Sequence, residues 1–201
     1  FANLEKANIK PLDTMNLNLI CNINIIESSI KHKVKKFVYA SSAYAMSEKG
    51  SFYGISKLAS EKIIEEYNKK KNLNFIIIRY GSVYSERNYE NNYLYNLIDK
   101  AVKTNKIEHY GDGNEFREYI HALDAAKLSV DLVEDNVYIN KHIILTGSEG
   151  IQRKDLFNMI NEIMGNKLSI KYSKKKNSEH YKYTPYSFQS SISKKLIPNP
   201  Q

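Results

Sequence analysis

Two short apolar segments constrain the fold of this chain more than any other feature. Residues 37–40 and 75–78 are each runs of four apolar residues bounded by polar ones. Runs of this length without polar alternation are typical of strands buried on both faces of a parallel sheet. Each run follows a segment with helical apolar spacing, 16–31 and 56–71 respectively. This alternation predicts an α/β fold with a doubly wound parallel sheet.

The second half of the chain continues with mixed elements. We predict a polar loop over 85–92 and a turn at Gly111–Gly113. Helices and strands are expected from periodicity and from short apolar runs. The expected helices are 93–104, 119–133 and 152–164, and the expected strands are 107–110 and 142–145.

Composition excludes several classes of protein. The net charge is +8, but it comes from scattered lysines, 26 Lys against 4 Arg, in a chain also rich in Asn and Ile. That bias is typical of an AT-rich genome, so we expect no nucleic-acid partner. No apolar run is long enough to span a bilayer, so no membrane partner is expected. The single cysteine, Cys21, cannot form an internal disulfide or a CxxC metal site, which favours a cytoplasmic, metal-free protein.

Tyr53 and Lys57 are four residues apart at the start of a predicted helix, which places them on one face. Tyrosine has a reference pKa near 10, and a nearby ammonium favours the phenolate. The pair could therefore exchange protons with a substrate hydroxyl. Ser42 ends the first strand, at the sheet edge where ligands bind in open α/β folds. Among 16 tyrosines and 26 lysines, such a pair taken alone is more often an exposed helix pair.

The surrounding sequence resembles a known family. The stretches KVKKFVYASSA (33–43) and YGISKLASE (53–61) are followed by RYGSVY (79–84), YGDG (110–113) and REYIHALD (117–124). In this order and spacing they resemble the extended short-chain dehydrogenase/reductases. The resemblance is to their NAD-dependent nucleotide-sugar epimerase/dehydratase group, which includes the UDP-glucose 4-epimerases.

The resemblance implies NAD as cofactor, with NADP not excluded, and a nucleotide-diphosphate sugar as substrate. Tyr53 would be the acid/base, Lys57 would bind the nicotinamide ribose, and Ser42 would contact the reacting sugar oxygen. The implied cofactor-binding residues are Asn18, Ala40, Ser41, Tyr53, Lys57, Tyr80 and Gly81. The implied substrate-binding residues are Ser42, Ala43, Ser82 and Arg117, with Arg117 on the diphosphate.

The resemblance also implies a domain organisation. Residues 1–84 would be the C-terminal part of the dinucleotide-binding domain, and 118–145 would return to it. Residues 85–117 and 146–201 would form a smaller C-terminal substrate-binding subdomain. None of the eight glycines forms the Gly-rich dinucleotide turn, so we expect that unit to precede Phe1. By analogy with the family we expect a homodimer.

Departures from the family pattern keep alternatives open. The stretch from Ser42 to Tyr53 is about half the usual length. Ala43-Tyr44 stands where 4,6-dehydratases carry Asp-Glu, which disfavours that dehydration. Ser85-Glu86-Arg87 replaces Gly-Pro-Arg, which weakens Arg87 as a phosphate ligand. A 4-epimerase is the leading prediction. A reductase or dehydratase of the same family is one alternative, and an inactive NAD(P)-binding regulatory or scaffold protein is another.

Overall fold

The structure is a computed structural model that describes residues 2–87, 92–173, 182–185 and, as backbone only, 193–196. The helices are α1 Leu4–Ile9, α2 Pro11–Met15, α3 Cys21–Lys31, α4 Ser51–Lys71, α5 Tyr93–Thr104, α6 Ala122–Glu134 and α7 Arg153–Ile163. The strands are β1 Phe37–Ser42, β2 Phe75–Tyr80, β3 Ser82–Tyr84, β4 Lys106–Tyr110, β5 Phe116–His121, β6 Lys141–Leu145, β7 Gly150–Gln152, β8 Ser169–Ser173 and β9 Ser193–Leu196.

The main sheet is parallel and has the strand order β1-β2-β6-β9. Strand β2 explains why its apolar run is continuous. Phe75 and Ile77 pack on one face of the sheet with Ile64 of α4, and Ile76 and Ile78 pack on the other face. Both faces are covered by helices, which confirms the predicted α/β fold with a parallel sheet.

A separate core forms in the second half of the chain. Strand β4 pairs in parallel with β8, and β5 pairs with both β3 and β7. Phe157 of α7 is fully buried there, together with Ile107 of β4 and Ala101 of α5. Helix α5 has the bounds that its periodicity predicts.

The predicted helix 119–133 is wrong at its start. Tyr119 pairs with Ser82, and Arg117 pairs with Ile151, so this segment is strand β5. Helix α6 begins at Ala122, after the His121 ring accepts a hydrogen bond from the Leu123 amide (3.3 Å). The sequence window could not reveal this because the pairing partners lie about 35 residues away on either side.

Helix α4 begins five residues earlier than predicted, at Ser51. Gly50 precedes it with φ of 101°, a left-handed conformation that favours glycine. A Cβ on Gly54 would lie 3.0 Å from the Tyr44 carbonyl oxygen, so the helix packs closely against the 3₁₀ turn Ala43–Met46. This close approach brings Tyr53 to the end of β1. Among the described residues, no helix combines the length and hydrophobicity needed to cross a bilayer.

Candidate active site

A cleft of about 450 Å³ opens at the carboxyl end of the parallel sheet. It brings together residues from both halves of the chain, as expected for a ligand site in an open α/β fold. Six of the residues singled out from the sequence border it: Ser42, Tyr53, Tyr80, Gly81, Ser82 and Arg117. The other residues singled out are not among the lining residues of this cleft: Asn18, Ala40, Ser41, Ala43 and Lys57.

Lys57 stands beside the Tyr53 ring. Its Nζ lies 5.9 Å from the Tyr53 ring centroid and 5.0 Å from that of Tyr39, and it donates to the Ala40 carbonyl oxygen at 2.9 Å. Burial lowers the pKa of Lys57, while the Glu61 carboxylate one turn further along α4 acts to raise it. The ammonium is therefore directed at the aromatic faces and at the sheet edge.

The side chains of Ser41 and Ser42 lie on opposite faces of β1, because successive side chains alternate along a strand. Ser42 borders the cleft, and its Oγ accepts a hydrogen bond from the Tyr44 amide (3.3 Å). Ser41 instead donates to Glu61 Oε1 at 2.5 Å. Ala43 is buried against Ile144.

Asn18 holds helix α4, which carries Tyr53 and Lys57, through two hydrogen bonds. It lies in a π-helical turn, Asn16–Ile20, between α2 and α3, a form that often occurs at functional sites. Its Nδ2 donates to Ser56 Oγ (3.0 Å), and its carbonyl oxygen accepts from Ser60 Oγ (2.8 Å). These contacts fix α4 on either side of Lys57.

A buried ionic network lies one turn beyond Lys57, and the sequence reasoning missed it. Glu61 is fully buried and accepts from Arg79 Nη2 (2.6 Å) and Arg79 Nε (3.0 Å) as well as from Ser41. His142 Nδ1 lies 3.5 Å from Glu61 Oε2. Burial alone would raise the pKa of Glu61, but the neighbouring His142, Arg79 and Ser41 side chains lower it to about 2.

The far wall of the cleft comes from β4, β5 and the start of α7. Arg117 is only 5% exposed, and its Nη1 donates to the Phe116 carbonyl oxygen at 2.7 Å. Arg153 stacks on Tyr93 with Cζ 3.8 Å from the ring centroid. The sequence reasoning missed Arg153 as a site residue, although the scarcity of arginine was a signal that could have found it.

Comparisons with known proteins agree with this architecture. The model of the NAD dependent epimerase/dehydratase family matches residues 2–145. A putative UDP-glucose 4-epimerase of Methanocaldococcus jannaschii is 28% identical over 198 residues, 90% of this chain and 64% of the relative. A dTDP-4-dehydro-6-deoxy-D-allose reductase of Streptomyces bikiniensis is 26% identical over 117 residues, 56% of this chain and 35% of the relative.

A solved structure shows the same fold. The crystal structure of a UDP-glucose 4-epimerase from Thermotoga maritima with UDP-glucose superposes with a TM-score of 0.80 at 21% identity. The match covers 91% of this chain and 64% of that one. The chain therefore spans less than two thirds of the length of each of these three proteins. The family match over most of its length nevertheless shows that the chain belongs to the NAD dependent epimerase/dehydratase family.

Proposed function

We propose that the intact protein is an NAD-dependent nucleotide-sugar 4-epimerase with Tyr53 as its acid/base. One observation carries the proposal. Lys57 Nζ lies 5.9 Å from the ring centroid of Tyr53, and Tyr53 borders the same cleft as Ser42 and Arg117. The proposed proton acceptor Tyr53, the hydroxyl group of Ser42 and the proposed phosphate-binding group of Arg117 therefore border the same cleft.

The proton transfer follows from this arrangement. The Tyr53 phenolate takes the proton of the sugar C4 hydroxyl, forming a phenol O–H bond as the sugar O–H bond breaks. The Lys57 charge favours the phenolate before transfer. Ser42 hydrogen-bonds the same sugar oxygen and holds it against Tyr53. When the sugar is reduced again, Tyr53 returns the proton.

The described residues fit the nicotinamide end of the cofactor. NAD, with NADP as the alternative, would supply the hydride acceptor and donor when bound. An ammonium has three donors, and Lys57 directs one of them to Ala40, so ribose hydroxyls can take others. Since the side chains of Ser41 and Asn18 are engaged with Glu61 and Ser56, we propose that Ser41 contributes through its backbone and Asn18 by bracing α4. Tyr80 and Gly81 complete the proposed cofactor edge.

The substrate side of the cleft fits a nucleotide-diphosphate sugar. Arg117 is proposed to bind the diphosphate, because a guanidinium has five donors and matches phosphate oxygens in pairs. Ser82 is half-buried on the same wall and is proposed to contact the sugar. Ala43 supports the sugar pocket from beneath. The second core, built around Phe157, is proposed as the substrate-binding subdomain.

A reductase is the second candidate. It is favoured by the similarity to the Streptomyces bikiniensis reductase, at 26% identity. It would use the same proton relay, with Tyr53 giving its proton to a keto sugar and with reduced cofactor consumed once per product.

A product assay decides between the two. The intact protein is incubated with UDP-glucose and NAD, and the sugar is followed by NMR alongside absorbance of reduced cofactor. We expect interconversion of the C4 epimers without net accumulation of reduced cofactor. Conversion of a 4-keto nucleotide sugar only with stoichiometric loss of reduced cofactor would instead establish the reductase. Inertness in both assays would remove both proposals.

We also propose a homodimer formed through α3 and α4. A groove between these helices is lined by Ile23, Ile63 and Tyr67. Ile25 and Leu58 on the same helices are exposed by 57% and 41%. Sedimentation of the intact protein should give twice the chain mass, and a monomer at micromolar concentration would contradict this.

A further inference from the structure

Arg153 is placed by strand pairing beside Arg117. Strands β5 and β7 are antiparallel, with Arg117 opposite Ile151. The Arg153 amide donates to the Glu115 carbonyl oxygen at 2.9 Å, one pair beyond the last strand pair, Phe116 and Gln152. Arg153 is the first residue of α7, and like Arg117 it lines the cleft.

The Arg153 guanidinium has hydrogen-bonding capacity that the described residues leave unused. Its Nη1 is shielded from solvent and has no hydrogen-bond partner among them. The Tyr119 hydroxyl, on the same cleft, is in the same state. A buried donor without a hydrogen-bond partner is unfavourable, because it has lost water without gaining another acceptor. A hydrogen-bond acceptor bound in the cleft would give the guanidinium a partner.

The charges around the cleft indicate what that ligand is. Two carboxylates border it, and each already has a side-chain partner other than the two arginines. Glu115 contacts His109 Nε2 at 3.0 Å, and Glu108 pairs with Lys100 at 2.9 Å. In the described part of the chain, neither forms an ion pair with Arg153. The wall that carries the two arginines is therefore suited to an anion.

We propose that Arg153 is a second diphosphate-binding arginine, which acts with Arg117 to hold the two phosphate groups of the substrate. The inference rests on the proposed function for the identity of the substrate. Stacking on Tyr93 fixes the plane of the guanidinium before the ligand arrives, so less rotamer freedom is lost on binding. Two guanidinium groups can meet two phosphate groups in pairs of hydrogen bonds.

The test measures by calorimetry the affinity of the intact protein for UDP and for uridine. For Arg153→Gln we expect UDP affinity to fall about 10- to 100-fold, because the charge-assisted hydrogen bonds to phosphate are lost. Uridine affinity should change less than about 2-fold, because uridine carries no phosphate. Arg153→Lys keeps the charge without the planar fork and should recover only part of the UDP affinity.

The matched control is Lys154→Gln, which removes one positive charge at the next position. Lys154 Nζ contacts Asn114 Oδ1 at 3.2 Å on the exposed side of α7. We expect it to change UDP affinity less than about 3-fold through long-range charge alone. Thermal unfolding of each variant checks that the fold is retained. If Arg153→Gln does not fold, the same comparison of UDP with uridine is made with Arg153→Lys.

The inference is overturned if the wild type does not prefer UDP over uridine. It is also overturned if Arg153→Gln weakens both ligands equally, weakens neither, or matches Lys154→Gln. The binding assay needs neither cofactor nor turnover, so the two proposals fail separately. UDP selectivity that depends on Arg153 without any epimerisation would overturn only the proposed reaction. Turnover with unaltered UDP affinity in Arg153→Gln would overturn only this inference.

Discussion

Helix α4 presents two different chemistries along a single face. Tyr53, Lys57 and Glu61 recur every four residues and so lie one above another. Tyr53 borders the cleft, whereas Glu61 is fully buried and held by Arg79 and Ser41. The half of the face at the cleft is suited to proton exchange. The half behind it ties the helix to β1 and β2, so the positions of Tyr53 and Lys57 depend on a buried ionic anchor formed by Glu61.

The anchor should contribute more to stability than any other group on this face. Glu61→Gln leaves the buried Arg79 without its carboxylate, and we expect the free energy of unfolding to fall by about 3–5 kcal/mol. Urea denaturation measures this. The matched control is Glu66→Gln on the same helix, where the carboxylate is 55% exposed and lies 3.6 Å from Lys69. Its loss should cost less than about 1 kcal/mol. Equal effects of the two variants would contradict the comparison.

Acid should weaken the same anchor. The pKa of Glu61 is about 2 in the folded protein, below its ordinary value of 4.5. A lowered pKa stabilises the fold fully above the ordinary value, and the stabilisation is lost as pH falls from about 4.5 towards 2. We compare the free energy of unfolding of wild type with that of Glu61→Gln at two pH values. The advantage of the wild type should be about 3 kcal/mol smaller at pH 2 than at pH 5. A difference in unfolding free energy that does not change with pH would contradict this.

Lys57→Met should have the opposite profile, with activity lost and stability kept. Methionine has a similar length but no charge to favour the Tyr53 phenolate, so kcat should fall about 100-fold. The free energy of unfolding should change by less than about 1.5 kcal/mol, because a half-buried ammonium is replaced by an apolar chain. Steady-state kinetics and urea denaturation measure the two effects. If Lys57→Met were destabilised as much as Glu61→Gln, the two halves of the α4 face would not differ in their contribution to stability.

The difference between the halves also explains what sequence could predict. Tyr53 and Lys57 were recognisable because their relation is local, four residues within one helix. Glu61 was visible only as part of a motif, since its partners Arg79 and His142 come from other strands. The buried runs of β1 and β2 were predicted because their pattern is continuous. Residues 119–121, the end of strand β5, were wrongly included in a helix because pairing with β3 decides their conformation.

Gly54→Ala should reduce stability less than Glu61→Gln does. The added Cβ would lie 3.0 Å from the Tyr44 oxygen and 3.1 Å from the Lys49 oxygen. We expect the start of α4 to shift, with a loss of about 1–3 kcal/mol in unfolding free energy and a decrease in kcat. Ala59→Gly, five residues further along the same helix, serves as the control. Unchanged stability and kinetics in Gly54→Ala would show that this close approach does not position Tyr53.

The most direct measurement is the turnover of Tyr53→Phe in the intact protein, with nucleotide-sugar affinity measured in parallel. Phenylalanine keeps the ring and removes only the phenolic oxygen, the atom proposed to exchange protons. We predict a fall in kcat of about 10²- to 10⁴-fold, with affinity for UDP unchanged. Turnover at the wild-type rate would contradict the assignment of Tyr53 as the acid/base.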